Sequence, residues 1–234
     1  MTSLSIIGVG AFGQLAHHHL KNHFDITLYD PQKGYDANIK SVCESDIILL
    51  CTPARILRET LETISPHLQS GQLIMDVCSV KVKPAQWMID LLPDHVDIVA
   101  THPIFGPESG KNGIENLNIS LMNIRGNRLN DVEEFCREKL NLKTLITTPE
   151  NHDEEMAYVQ GLTHLIAKIL KRMNIPELQQ TTQTYDHLLS MVNMIKNDSP
   201  ELFHSIQTDN PYVADVTNNF FDEAKELEIS LKDT

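Results

Sequence analysis

What the chain lacks narrows it first. No apolar run approaches the ~20 residues that a membrane span requires, and the opening Leu4-Ser5-Ile6-Ile7 has neither the basic flank nor the long apolar core of a signal peptide. A soluble cytoplasmic protein is expected. Positive charge is scarce: 19 basic against 32 acidic residues leave a formal charge of −13, which works against broad attraction to nucleic acid or anionic membranes. An anionic ligand would have to be met by a few local donors. Cysteine is sparse too, since Cys43, Cys51, Cys78 and Cys136 stand singly in apolar stretches without C-x-x-C spacing. Buried, reduced thiols are expected, with no disulfide framework and no zinc site. The run His17-His18-His19 supplies no metal site either, because successive helix positions point in different directions.

What is present is a strong alternation. Short apolar runs at 4–7, 25–29, 46–51 and 72–77 alternate with amphipathic stretches at 12–22 and 57–64, and further strand-like runs lie at 97–100, 119–124 and 143–147. Between the last two, 131–140 reads as a helix. Strands alternating with helices predict an α/β fold with a Rossmann-like, doubly wound parallel sheet over residues 1–148. Thr148-Pro149-Glu150 then starts a helix, with a hydroxyl cap, proline at the first helical position and an acid in the first turn. Residues 149–234 read as a smaller all-helical domain. Met156, Val159, Ile166, Ile169 and Met173 are expected to share one face, as are Val213, Val216, Phe220, Ala224, Leu227 and Leu231. So few residues make a thin core, so the apolar faces need another surface, and a homodimer is expected.

Gly8-Val9-Gly10-Ala11-Phe12-Gly13 follows a strand and opens a helix, the context that the G-x-G-x-x-G pattern requires. Gly8 permits the tight turn, Gly10 lets the backbone approach a pyrophosphate, Gly13 lets the helix pack on the sheet, and Ala11 and Phe12 present the helix N-terminus to the anion. Asp30 closes the second strand at the offset for bonding ribose hydroxyls, and its charge would repel a 2′-phosphate. NAD is therefore expected over NADP, although Lys33 is near enough in sequence to serve a phosphate. Thr52 and Pro53, ending the next apolar strand, should line the same crevice or simply pack there.

Three further segments carry chemistry: Asp76-Val77-Cys78-Ser79-Val80-Lys81, Thr101-His102-Pro103-Ile104-Phe105-Gly106-Pro107-Glu108-Ser109-Gly110, and Tyr158-Val159-Gln160-Gly161-Leu162-Thr163-His164. Together with the glycine fingerprint they resemble the prephenate/arogenate dehydrogenase family over nearly the whole chain. The segment 106–113 resembles plant-type arogenate dehydrogenases, and 152–160 resembles enterobacterial prephenate dehydrogenases. The resemblance implies NAD(P)-dependent oxidative decarboxylation of a cyclohexadienol, prephenate or arogenate, driven by aromatisation of the ring. It also implies roles. His102 accepts or polarises the hydroxyl proton, as neutral imidazole does near neutral pH. Ser79 fixes the placement of His102 and the nicotinamide, while His164 and Gln160 face the substrate; Lys111 is a separate substrate-binding candidate, a cation able to meet the ring carboxylate. By itself, a histidine on an amphipathic helix serves an interface or a core as readily.

Two departures from the family stand out. Met194 occupies the position where many prephenate-specific members carry a carboxylate-holding arginine, and a buried methionine lacks the bidentate fork. Gly161 stands where another branch has a histidine. An NAD-binding sensor without turnover is the alternative reading, and Met194 is what supports it.

Overall fold

Each strand-like run of the first half becomes a strand. In the computed structural model, which describes residues 1–196 and 198–233, these are β1 (Ser3–Ile7), β2 (Asp25–Asp30), β3 (Tyr35–Asp36), β4 (Ile47–Leu50), β5 (Leu73–Asp76), β6 (Asp97–Pro103), β7 (Asn118–Arg125) and β8 (Lys143–Ile146). They form one sheet in the order β3-β2-β1-β4-β5-β6-β7-β8. Pairing is parallel except at β2–β3 and β6–β7, which are antiparallel. The sheet is thus mostly, not wholly, parallel.

Helices cover both faces. On one, Val42 of α2 (Ile39–Val42), Leu57, Leu61 and Ile64 of α3 (Ala54–Ile64) and Met88 of α4 (Val82–Leu91) pack on Ile48, Leu50, Ile74 and Ile98. On the other, Leu20 of α1 (Ala11–Leu20) and Val132 and Cys136 of α5 (Leu129–Glu138) cover Leu4, Ile6, Leu49 and Leu121. The spacing of Ala54, Leu57, Leu61 and Ile64 puts one apolar stripe of α3 on the sheet. Each such fully buried leucine or isoleucine contributes about 1.5–3 kcal/mol. All four residues of β4 are buried because both faces of a doubly wound sheet are covered. Strands β1, β4, β5 and β6 run parallel, so their carboxyl ends share one edge.

The contacts divide the chain into Met1–His152 and Asp153–Thr234, against the 1–148 and 149–234 expected from sequence. Thr148 caps α6 (Pro149–Met156) by accepting the Asn151 N–H at 3.2 Å. A π-helical turn, Ala157–Leu162, follows before α7 (Thr163–Met173), α8 (Gln183–Met194), α9 (Pro200–Thr208) and α10 (Val213–Lys232). That turn breaks the single apolar face expected of the stretch. Met156 is buried, whereas Val159 and Met173 are 52% and 65% exposed, because an i→i+5 turn shifts the phase of everything after it. The core of the second unit is correspondingly small: Ala157, Val213 and Val216, with Leu162 and Tyr212 against them. Gly161 makes this packing possible, since a Cβ there would lie 2.7 Å from Cγ2 of Val213.

Candidate active site

The glycine turn is built by close approach. Gly8 has φ +96°, and a Cβ on it would meet the Cys51 carbonyl at 2.8 Å; a Cβ on Gly13 would meet the Gly8 oxygen at 2.0 Å. Both positions exclude a side chain. Gly10, the N-cap of α1, has no atom within 4 Å of where its Cβ would be, leaving an open approach to the helix N-terminus beside Ala11 and Phe12. Asp30 Oδ2 accepts the Val9 N–H at 2.9 Å, and Lys33 Nζ donates to the Val9 oxygen at 3.1 Å. The acid therefore braces the turn, and the lysine adds a cation that the sequence left optional. Thr52 is buried at the end of β4, and its Oγ1 has no hydrogen-bond partner; Pro53 caps α3 from an exposed position. An open glycine cradle, a helix N-terminus, a strand-end carboxylate and an orphaned hydroxyl are what a dinucleotide requires.

The same edge carries the titratable groups. Ser79, half-buried, lies on the turn leaving β5. Lys81 is completely buried, with Nζ donating to Asp76 Oδ2 at 2.5 Å and to the Thr101 oxygen at 2.6 Å. A lysine just after a strand is usually solvated; Asp76 five residues earlier is what lets the chain bury this one. His102 lies inside β6 at 3% exposure, opposite Ser120 of β7. Its Nδ1 is 2.8 Å from Nε2 of His152, which is 2% exposed. Burial first, then the His152 ring, then the Lys81 ammonium, hold His102 well below the ordinary histidine range. It is a neutral imidazole at neutral pH.

The segment after β6 is pinned at its base, where Phe105 meets Phe12 at 6.4 Å between ring centroids. Lys111 donates to the Glu108 carboxylate, both side chains being more than half exposed, so its charge is already matched.

In the second unit, Gln160 lies within the π turn and His164 opens α7. His164 Nδ1 is 3.6 Å from Asp198 Oδ2, and burial lowers its pKa more than that carboxylate raises it. A small pocket there also includes Lys168, whose Nζ is 5.2 Å from the Phe203 ring centroid, and Lys171. Sequence reasoning passed over both lysines, although they follow His164 at helical spacing. Met194 is 63% exposed at the end of α8, so the buried methionine expected there is corrected: α8 has no buried residue.

A further cavity lies away from these groups. About 280 Å³ lies between α1 and α5 over the sheet, lined by Leu15, Leu49, Met75, Ile114 and Phe135 among others. Its lining is mostly apolar, with Arg128, Asp131 and His19 among the polar residues.

A doubly wound sheet with a glycine turn at its switch point and a carboxylate closing β2 defines a nucleotide-binding protein of the Rossmann class. Two family models divide the chain in the same sense: prephenate dehydrogenase, nucleotide-binding domain, over residues 25–141, and prephenate dehydrogenase, dimerization domain, over 148–234. The chain belongs to the prephenate dehydrogenase family. It is 26% identical to a probable arogenate/prephenate dehydrogenase of Methanocaldococcus jannaschii, over 96% of this chain and 56% of that protein. It is 31% identical to the chloroplastic arogenate dehydrogenase 2 of Arabidopsis thaliana, over 89% of this chain and 64% of that protein. The chain therefore spans between half and two thirds of these relatives. A crystal structure of prephenate dehydrogenase from A. aeolicus in complex with hydroxyphenyl propionate and NAD+ superposes with a TM-score of 0.75 at 20% identity, covering 99% of this chain and 91% of that one. Synechocystis arogenate dehydrogenase gives 0.71 at 18%, covering 99% and 92%. At these identities the likeness is one of fold.

Proposed function

We propose that this chain is a nicotinamide-dependent dehydrogenase that oxidatively decarboxylates a cyclohexadienol, prephenate or arogenate. The observation that carries the reading is His102, a buried neutral imidazole at the same sheet edge as the glycine turn. When bound, the nicotinamide ring supplies the hydride acceptor. The residues of the chain do the rest. Gly8, Gly10, Ala11, Phe12 and Gly13 seat the pyrophosphate, and Thr52, Pro53 and Ser79 line the way to the nicotinamide. His102 Nε2 takes the substrate's hydroxyl proton. Asp30 favours NAD by accepting ribose hydroxyls, while Lys33 beside it keeps NADP within reach. In the helical unit His164 and Gln160 are substrate donors, and Lys168 and Lys171 supply the cations that Met194 does not. Lys111 serves only if its ion pair with Glu108 opens.

A homodimer fits a second unit with so small a core and so much exposed apolar surface, and the relatives' domain is called a dimerization domain. Four cysteines, all free, fit a reducing cytoplasm.

The test is to mix purified protein with prephenate or arogenate, each with NAD or NADP, and follow reduced nicotinamide. Turnover in one pairing supports the reading and names the substrate. Silence in all four, with cofactor binding shown by titration calorimetry, leaves a nucleotide sensor instead. His102→Asn is expected to lower turnover by ~10²–10⁴-fold while cofactor affinity stays the same; near wild-type turnover would remove His102 from the mechanism.

A further inference from the structure

The contact between His102 Nδ1 and His152 Nε2 holds more than two rings. At 2.8 Å, with ring centroids 5.0 Å apart and planes at 69°, the nitrogens share one proton: one must carry hydrogen and the other a lone pair. Two imidazolium rings cannot make this bond. The Lys81 ammonium, held against the Thr101 carbonyl immediately before His102, further disfavours a second positive charge. The pair therefore carries at most one positive charge, and with both rings neutral the bond has two arrangements. If His152 donates, His102 carries its remaining hydrogen on Nε2 and has no lone pair to offer a substrate hydroxyl. If His102 donates from Nδ1, Nε2 is the acceptor that a base requires.

We propose that His152 is the positioning residue for His102: it accepts the Nδ1–H, and so holds the ring in the tautomer and orientation that leaves Nε2 as base. This rests on His102 being the base of the proposed reaction. In the step itself, the substrate O–H bond breaks and an N–H bond forms at Nε2. The Nδ1–H stays on His102, and its positive charge is steadied by the neutral His152 lone pair. In a Ser-His-Asp triad a carboxylate performs this service. A neutral partner holds the imidazolium less tightly, so the base remains weak and surrenders its proton readily once the ring is aromatic. His152 sits at the end of the first unit, on α6, whose start is fixed by the Thr148 cap, and His102 is fixed by its strand. Neither ring has to be recruited.

The experiment uses the full chain and two replacements, His152→Phe, which keeps an aromatic but removes the acceptor, and His152→Gln, whose amide oxygen can accept the same hydrogen. Nitrogen-15 spectra of the imidazoles should show His102 protonated at Nδ1 in the wild type. His152→Phe is expected to lower kcat by ~10²-fold with KM and cofactor affinity little changed, and His152→Gln to recover most of that loss. Wild-type His102 protonated at Nε2 would overturn the proposal. So would unchanged kcat in His152→Phe, or equal losses in both variants, which is the mark of packing alone. If the phenylalanine variant fails to fold, the wild-type spectrum and the glutamine variant still decide. A wild type that turns over neither substrate would sink the proposed reaction, while the tautomer would still be read from the spectrum.

Discussion

A histidine acts as a base only while unprotonated, and His102 is kept so by desolvation, by the neighbouring His152 and by the Lys81 ammonium, in that order. The same shift has a cost in stability whose sign is fixed. With its folded pKa below the unfolded value of about 6.5, the native state binds fewer protons than the unfolded chain, so stability is full above that value and declines as pH falls through it. Urea midpoints near pH 7.5 and 5.5 should therefore fall further in the wild type than in His102→Asn; equal losses would mean that other groups carry the acid sensitivity. His102 was legible from its Pro and Gly neighbours and from the family motif. His152 opens the segment 152–160 that resembles the enterobacterial enzymes, but its meaning comes from a contact spanning fifty positions that no local pattern encodes. The burial of Lys81 is of the same kind: only the fold shows that Asp76 and the Thr101 carbonyl receive its ammonium.

The π turn shows how one element can overrule a periodic pattern. Val159 and Met173 fit the helical period of the sequence and end up exposed, while Gly161, read as the loss of a histidine, is where Val213 enters. Gly161→Ala is expected to destabilise by ~1–3 kcal/mol through overpacking, and Val213→Ala in the same chain to return part of that loss, a coupling that a double-mutant cycle of denaturation midpoints measures. Additive effects would mean the two positions do not meet. The strands were legible because β1, β4, β5 and β6 are apolar runs buried on both faces, a pattern that survives any packing. Their order was not, and neither was the antiparallel turn of β7 beside β6, since pairing depends on where each crossover lands. Helix α4 was not expected from the sequence, and its Pro84 is accommodated because a proline in the first turn forfeits no hydrogen bond.

Over the whole molecule the two units differ in how far they satisfy themselves. Among the described residues the first buries two clusters, one on each face of the sheet, and the second a single small one, leaving Leu227 and Leu231, one turn apart on the same face of α10, at 61% and 71% exposure. Such a face suits the proposed dimer. Leu227→Asp, which places a charge in that face, is expected to shift the proposed dimer to monomer by sedimentation velocity; a dimer unchanged at micromolar concentration would place the contact elsewhere. Deep in the first unit, Lys81 gives the folded molecule an internal clock. Its amine, with no exposed surface, meets an acylating reagent only when the carboxyl edge of the sheet opens. The rate at which that one lysine is acylated reads the opening equilibrium of the site, whereas the exposed lysines read only the reagent.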